Sequence, residues 1–269
     1  MKILQLTDLH NEFKNPLLIP LYEKEKYTFL DEETWEYIKS INGSDILILS
    51  GDIDNYKNIP TLLENAAKHF EHVIHINGNH EYYGREFTYG EEYIKSNIEH
   101  IKNAHHLNRE SINIEGYRFI GCTLWTDLNK NNPLYEMQIK NSLNDFNRIL
   151  YNGNFFSTND WLNEFEKDFS FLQEELIGKD NSKTVVITHH APTIESAMYY
   201  GKMTESTYGF GSELTEFIMD TQPKYWFFGH THTPFAQKIG NTELINNFSQ
   251  NKFQNVFTLE KNKKKLKNK

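Results

Sequence analysis

Five short apolar runs, each breaking off into Asp, Asn or His, constrain this chain more than any other feature. Ile3–Leu6 runs into Thr7, Asp8 and His10; Ile46–Leu49 into Ser50, Gly51 and Asp52; Val73–Ile76 into Asn77, Gly78, Asn79 and His80. The pattern returns where Thr184–Ile187 leads to Thr188, His189 and His190, and where Tyr225–Phe228 leads to Gly229, His230 and His232. Runs this short and apolar read as buried strands. A core gains nothing from ending strand after strand on carboxylates and imidazoles, because polar groups desolvated without partners cost free energy.

Tyr117–Cys122 reads as a further strand. Helical patterns alternate with the strands, at Glu32–Ser40, Ile59–Phe70, Tyr89–Ile101, Leu134–Leu150, Thr158–Leu176 and Ser212–Met219. Such alternation predicts an α/β architecture, and open α/β sheets gather their sites beyond the carboxyl ends of the strands, where all five polar clusters fall. Gln237–Ile239, Thr242–Ile245 and Val256–Leu259 follow with no helix between them, which predicts an antiparallel end to the domain. Asn15–Lys26 and Tyr151–Thr158 read as loops able to border a pocket. At 269 residues the chain suits one compact domain, taken as 1–260, ahead of a basic, disordered tail at 261–269.

That tail holds six lysines, so setting its positive charges aside from the net −9 leaves a body near −15. A body so acidic repels a nucleic-acid backbone and argues against a nuclease, whose binding relies on cationic neutralisation. Cys122 is the single cysteine, so no intrachain disulfide forms and a cytoplasmic setting is expected. Only Ile3–Leu6 precedes Asp8, too little for a secretory apolar region, and no run reaches membrane-spanning length.

In order, the clusters are Asp8-Leu9-His10, Gly51-Asp52, Gly78-Asn79-His80-Glu81, His189 and Gly229-His230-Thr231-His232. This series resembles the motifs of the calcineurin-like metallophosphoesterase superfamily, and Cys122–Asp127 resembles a stretch of its bacterial and phage branch. The resemblance implies a two-sheet β sandwich flanked by helices, a four-layer α/β/β/α arrangement with metals at the carboxyl ends of the strands. It implies one divalent ion on Asp8, His10, Asp52 and His232, a second on Asp52, Asn79, His189 and His230, and Asp52 bridging. Independently of any family, imidazoles mixed with carboxylates suit Mn, Fe, Zn, Co or Ni rather than Mg or Ca, and of these Mn is the first expectation. Two such ions about 3.5–4 Å apart share a water, lower its pKa towards neutrality and clamp phosphoryl oxygens, which makes a Ser or Cys nucleophile unnecessary.

His80 matches the family's catalytic histidine and suits protonation of the leaving alkoxide. Related serine/threonine phosphatases place an Asp three residues after the bridging aspartate and an Arg after that; here Asn55 and Tyr56 stand at those positions. Protein phosphatase activity is therefore disfavoured, and the acid that orients His80 is left to Asp54 or Glu81. His189 is preferred to His190 as the ligand, with His190 facing substrate or bonding a backbone carbonyl. Trp125 either walls the pocket or packs in the core, and Tyr82, Tyr83 and Trp125 are candidates for stacking on a leaving group. His69, His72, His75, His100, His105 and His106 fall outside the motifs and are read as surface or core residues.

The expected function is hydrolysis of a small-molecule phosphate ester without nucleic-acid or membrane partners. A diester is favoured because Arg85 is the one cation beside a motif. A phosphomonoesterase, a nucleotide or pyrophosphate hydrolase, and a non-catalytic scaffold of the same fold are the alternatives.

Overall fold

The computed structural model describes residues 1–12, 29–248 and 255–260; the segment Asn15–Lys26 and the tail at 261–269 lie outside them. Thirteen strands are described: β1 (Lys2–Leu6), β2 (Ile46–Ser50), β3 (His72–Ile76), β4 (Ala104–His106), β5 (Glu110–Ile114), β6 (Tyr117–Gly121), β7 (Leu150–Tyr151), β8 (Asn154–Phe155), β9 (Thr184–Ile187), β10 (Tyr225–Phe227), β11 (Phe235–Ile239), β12 (Thr242–Asn246) and β13 (Val256–Thr258). One sheet runs β13-β1-β2-β3-β4 and the other β11-β12-β10-β9-β6-β5, with β7 and β8 forming a separate hairpin. β1 to β4 are mutually parallel, as are β6, β9, β10 and β12, while β13, β11 and β5 are antiparallel edges.

Period-two alternation explains why the strand runs are apolar throughout. Along β2, Ile46 and Ile48 face the other sheet, where they join Ile74, Phe119, Val185 and Phe227. Leu47 and Leu49 face outward, against Trp35, Ile38, Leu62 and Ile94 of the covering helices. The second sheet repeats the scheme, with Val186 and Trp226 turned outward onto Leu172, Leu176 and Ile218. Helix, sheet, sheet and helix therefore stack as four layers, with the inner strands β2, β9 and β10 buried on both sides.

Helix Thr158–Leu176 begins where the sequence places it because Ser157 and Asp160 form a reciprocal capping box. The single helix expected over Leu134–Leu150 is broken. Pro133–Ser142 stops at an extended Leu143, a short turn Asp145–Arg148 follows, and Leu150 enters β7. Asn141, Ser142, Asn144 and Asp145 are residues whose side chains compete with the helical ladder, and the break lets Phe146 and Ile149 bury in a cluster with Trp125, Phe156 and Trp161. Tyr151–Thr158, read as loop, contains the β7–β8 hairpin and the start of the capped helix. The carboxyl-terminal strands are antiparallel at β11 and β13, but β12 lies parallel to β10.

Candidate metal centre

The carboxyl ends of β1, β2, β3, β9 and β10 meet at one edge of the sandwich, and backbone bonds knit the loops beyond them together. Asp8 N–H donates to Gly51 O at 3.1 Å, and His10 N–H to Asp52 O at 2.9 Å. Buried Glu81 accepts from the N–H groups of Asp52 (3.0 Å), Ile53 (2.8 Å) and Gly78 (2.7 Å), tying the second cluster to the third. Within the second sheet, His189 N–H and His190 N–H both reach Thr123 O at 3.1 Å, and Gly229 N–H reaches His189 O at 2.9 Å. His230 N–H closes the ring by donating to Asp8, 3.0 Å from each oxygen.

These turns wind the main chain unusually. Asp8, His10, Asp52, His230 and His232 all have positive φ, between 45° and 66°. Left-handed backbone is uncommon outside glycine, and Asp, Asn and His tolerate it better than most residues. Glycines serve a different need, close approach: a Cβ on Gly78 would lie 2.2 Å from Asp52 Oδ1, and one on Gly229 would lie 2.0 Å from Thr7 Oγ1.

Side chains far apart in sequence converge as a result. Asp8, His10 and His232 each bring one ligand atom within 4.8 Å of the others, as do Asp52, His189 and His230, and either group could hold a metal ion. In the first, His232 Nε2 is 2.9 Å from His10 Nε2 and 3.3 Å from Asp8 Oδ1. In the second, His189 Nε2 is 3.2 Å from both His230 Nδ1 and Asn79 Oδ1. Asp52 stands between them, its Oδ2 3.7 Å from His10 Nε2 and its Oδ1 3.4 Å from His189 Nε2. Two carboxylates, one amide oxygen and four imidazoles fit divalent ions of borderline softness.

Residues 1–234 match the family model for calcineurin-like phosphoesterases. The chain belongs to that family. An uncharacterized protein of Acanthamoeba polyphaga mimivirus is 26% identical over 220 residues, covering 74% of this chain and 75% of its own length. Among solved structures, phosphopantetheinyl hydrolase from Mycobacterium tuberculosis aligns with a TM-score of 0.65 at 15% identity, over 91% of this chain and 88% of its own. A dimetal phosphatase from Danio rerio aligns at 0.51 and 13% identity, over 91% and 86%. At such identities the likeness is one of fold.

In this calcineurin-like phosphoesterase the acid on His80 is Glu12. Glu12 Oε1 lies 2.9 Å from His80 Nδ1 and 3.2 Å from His10 Nδ1. Asp54 is turned elsewhere, accepting from Asn11 Nδ2, Asn58 Nδ2 and Asn55 N–H, while Glu81 is spent on backbone amides. The only sequence cue to Glu12 is its position two residues after His10. Tyr83 stacks on the His80 ring at 4.4 Å; its hydroxyl donates to Asp145 Oδ2 at 3.1 Å and accepts from Asn79 Nδ2 at 3.2 Å. That second bond fixes which way the Asn79 amide points, leaving its oxygen for the His189 side.

The remaining candidates are dispersed. Asn55 lines a cavity beside His80. Arg85 bonds the Tyr56 hydroxyl and lies over its ring, away from the cavities that His80 lines. Trp125 is buried among Trp161, Phe156 and Tyr82, with its ring 5.2 Å from that of His190. His190 backs onto His230 at 4.3 Å, its Nδ1 3.4 Å from Thr123 O. Tyr82 stacks on Phe87 in the same buried cluster.

Electrostatics follow from burial against charge. Burial favours a neutral Asp52, but the charges of His189 and His80 outweigh it and hold the carboxyl well below its usual range. Burial would lower His189, yet Asp52 raises it to about 9. His190 is lowered to about 3 by burial and then by His189, and His230 is lowered by burial and His190, so both imidazoles stay neutral. Asp145, buried at the same cavity, is pushed up by burial to about 6 against the pull of His80.

Proposed function

We propose that this phosphoesterase is a binuclear, metal-dependent hydrolase of a phosphate ester, with a single catalytic domain over residues 1–260. The observation that carries the reading is Asp52 with Oδ2 towards His10 of the Asp8 group and Oδ1 towards His189 of its own. Asp8, His10, Asp52 and His232 would hold one ion, and Asp52, Asn79, His189 and His230 the other, with Mn the first choice and Fe, Zn, Co or Ni the others. When bound, such a pair supplies a hydroxide nucleophile near neutral pH and charge stabilisation for the phosphoryl oxygens.

His80 turns Nε2 towards the centre, 3.7 Å from Asp52 Oδ2, while Glu12 holds Nδ1. Glu12 therefore keeps the proton of Nδ1 in place, and Nε2 is the nitrogen that gives a proton to the departing oxygen. Among the described residues lining the metal cavity there is no Lys or Arg, and Asp145 adds negative charge. A singly charged diester suits that wall better than a doubly charged monoester. The acidic body, the lone buried Cys122 and the small cavities favour a small-molecule substrate in the cytoplasm over nucleic acid. Among the described residues no helix is long and apolar enough to cross a membrane.

The test is hydrolysis of bis-p-nitrophenyl phosphate and p-nitrophenyl phosphate by protein loaded with Mn. Diester turnover should exceed monoester turnover. His80→Ala should lose about 10²- to 10⁴-fold in kcat while retaining its metal. Absence of turnover on both esters in fully loaded protein would sink the enzymatic reading and favour a scaffold.

A further inference from the structure

His80, Tyr83 and Asn144 line both of two adjoining cavities. The metal-side cavity encloses about 260 Å³, and a second of about 500 Å³ is lined by Glu12, Asn55, His80, Tyr83, Asn144 and Arg148. A leaving oxygen protonated by His80 would carry the rest of its group into this second cavity.

The charge of that cavity is set by one residue. Glu12 is engaged with His80 and His10, so its carboxylate is already balanced by partners. The chain has four arginines. Arg109 is paired with Glu164 and Asp168, Arg118 with Glu175, and Arg85 with the Tyr56 hydroxyl. Arg148 differs: among the described residues no side chain lies within hydrogen-bond or ion-pair distance of its guanidinium. Its main chain is nonetheless anchored, since Arg148 O accepts from Gly84 N–H at 2.6 Å, on the loop that follows His80. Asn55 uses its Oδ1 on Lys57 N–H, which leaves its NH₂ as a donor, and the exposed Asn144 amide lies on the same lining. A guanidinium with two amides makes a donor-rich, cationic wall suited to an oxyanion.

We propose that this cavity is a leaving-group subsite for an anionic group, carboxylate or phosphoryl, borne by the alcohol that departs, with Arg148 as its charge partner. The proposal rests on the phosphoesterase reading above. It deepens that reading by splitting recognition between two chambers. The metal centre takes the scissile phosphate, and the Arg148 chamber takes a second negative charge.

The experiment compares matched aryl phosphates on the Mn-loaded full chain, both as monoesters and as methyl diesters. The leaving groups are 3- and 4-hydroxybenzoate, the corresponding uncharged hydroxybenzamides, and a hydroxyphenyl phosphate. An anionic leaving group should raise kcat/KM over its amide isostere by about five- to tenfold, the worth of a partly screened charge-assisted hydrogen bond. That ratio should fall towards one in Arg148→Gln, invert in Arg148→Glu, survive in part in Arg148→Lys, and shrink with added salt. A preference for carboxylate alone or phosphoryl alone supports the subsite and assigns its ligand. Equal rates on charged and neutral leaving groups, or a preference unchanged in Arg148→Glu, would overturn the subsite while leaving the phosphoesterase reading intact. No hydrolysis of any ester would overturn both. Calorimetric binding of 4-hydroxybenzoate against 4-hydroxybenzamide gives a readout independent of turnover, and a difference abolished by Arg148→Gln is the expected result.

Discussion

Glu12 Oε1 sits between two imidazoles, 2.9 Å from His80 Nδ1 and 3.2 Å from His10 Nδ1. One carboxylate oxygen thus orients both a candidate ligand and the candidate proton donor, a carboxylate–histidine pairing of the kind that sets ring orientation and basicity around metals.

Glu12→Gln should lower kcat by about 10- to 100-fold and weaken metal retention at the Asp8 cluster, because such outer partners are commonly worth that much. Rates over a pH series, with elemental analysis of the same samples, check it. Unchanged kcat together with an unchanged pH profile would remove Glu12 from the mechanism.

The same pair sets a pH dependence in metal-free protein. Burial would depress His80, but Asp52 and Glu12 raise it from 6.5 to about 9. Its contribution to stability is therefore present below pH 6.5 and is lost as pH rises through 9. Burial would raise Glu12, but His10 and His80 lower it from 4.5 to about 2, so its contribution is present above pH 4.5 and is lost as pH falls through 2. Thermal denaturation of the metal-free protein should accordingly lose stability between pH 6.5 and 9, with a smaller loss in Glu12→Gln. Metal loading should flatten the same curve, since bound cations neutralise Asp52.

Gly78→Ala should destabilise the protein by about 1–3 kcal/mol, the usual cost of overpacking. The added methyl would meet Asp52 Oδ1 at 2.2 Å, a distance that forces the carboxylate aside. Chemical denaturation measures the first effect. Metal content of the purified variant measures the second, and a fully stable, fully loaded Gly78→Ala protein would contradict the packing seen at Asp52.

Much of the fold was legible because β1, β2, β3, β9 and β10 are sandwiched on both faces, which makes each a predominantly apolar run. β4, only Ala-His-His, and β5, an edge strand exposed along most of its length, carry no such pattern and escaped it. The break at Leu143 escaped for another reason: it is imposed by burial of Phe146 and Ile149 in an aromatic cluster assembled from distant segments. The motifs at the strand ends name the residues of the clusters Asp8–His10–His232 and Asp52–His189–His230, although only the fold brings their distant members together. What flanks His80 is not set that way. Glu12 reaches it across the gap between two loops, Arg148 arrives through the Gly84 backbone, and Asp54, the nearer acid in sequence, is turned towards Asn11 and Asn58.

Backbone sterics and coordination chemistry make the same demand at this edge of the sandwich. Positive φ at Asp8, His10, Asp52, His230 and His232 penalises branched and bulky residues while sparing Asp, Asn and His. Those are also the types that present hard oxygen or borderline nitrogen to a cation. Exchanging one of these residues for a β-branched one would disturb the path of the main chain as well as any ion held there, so one substitution would strike both the turn and its ligand atom.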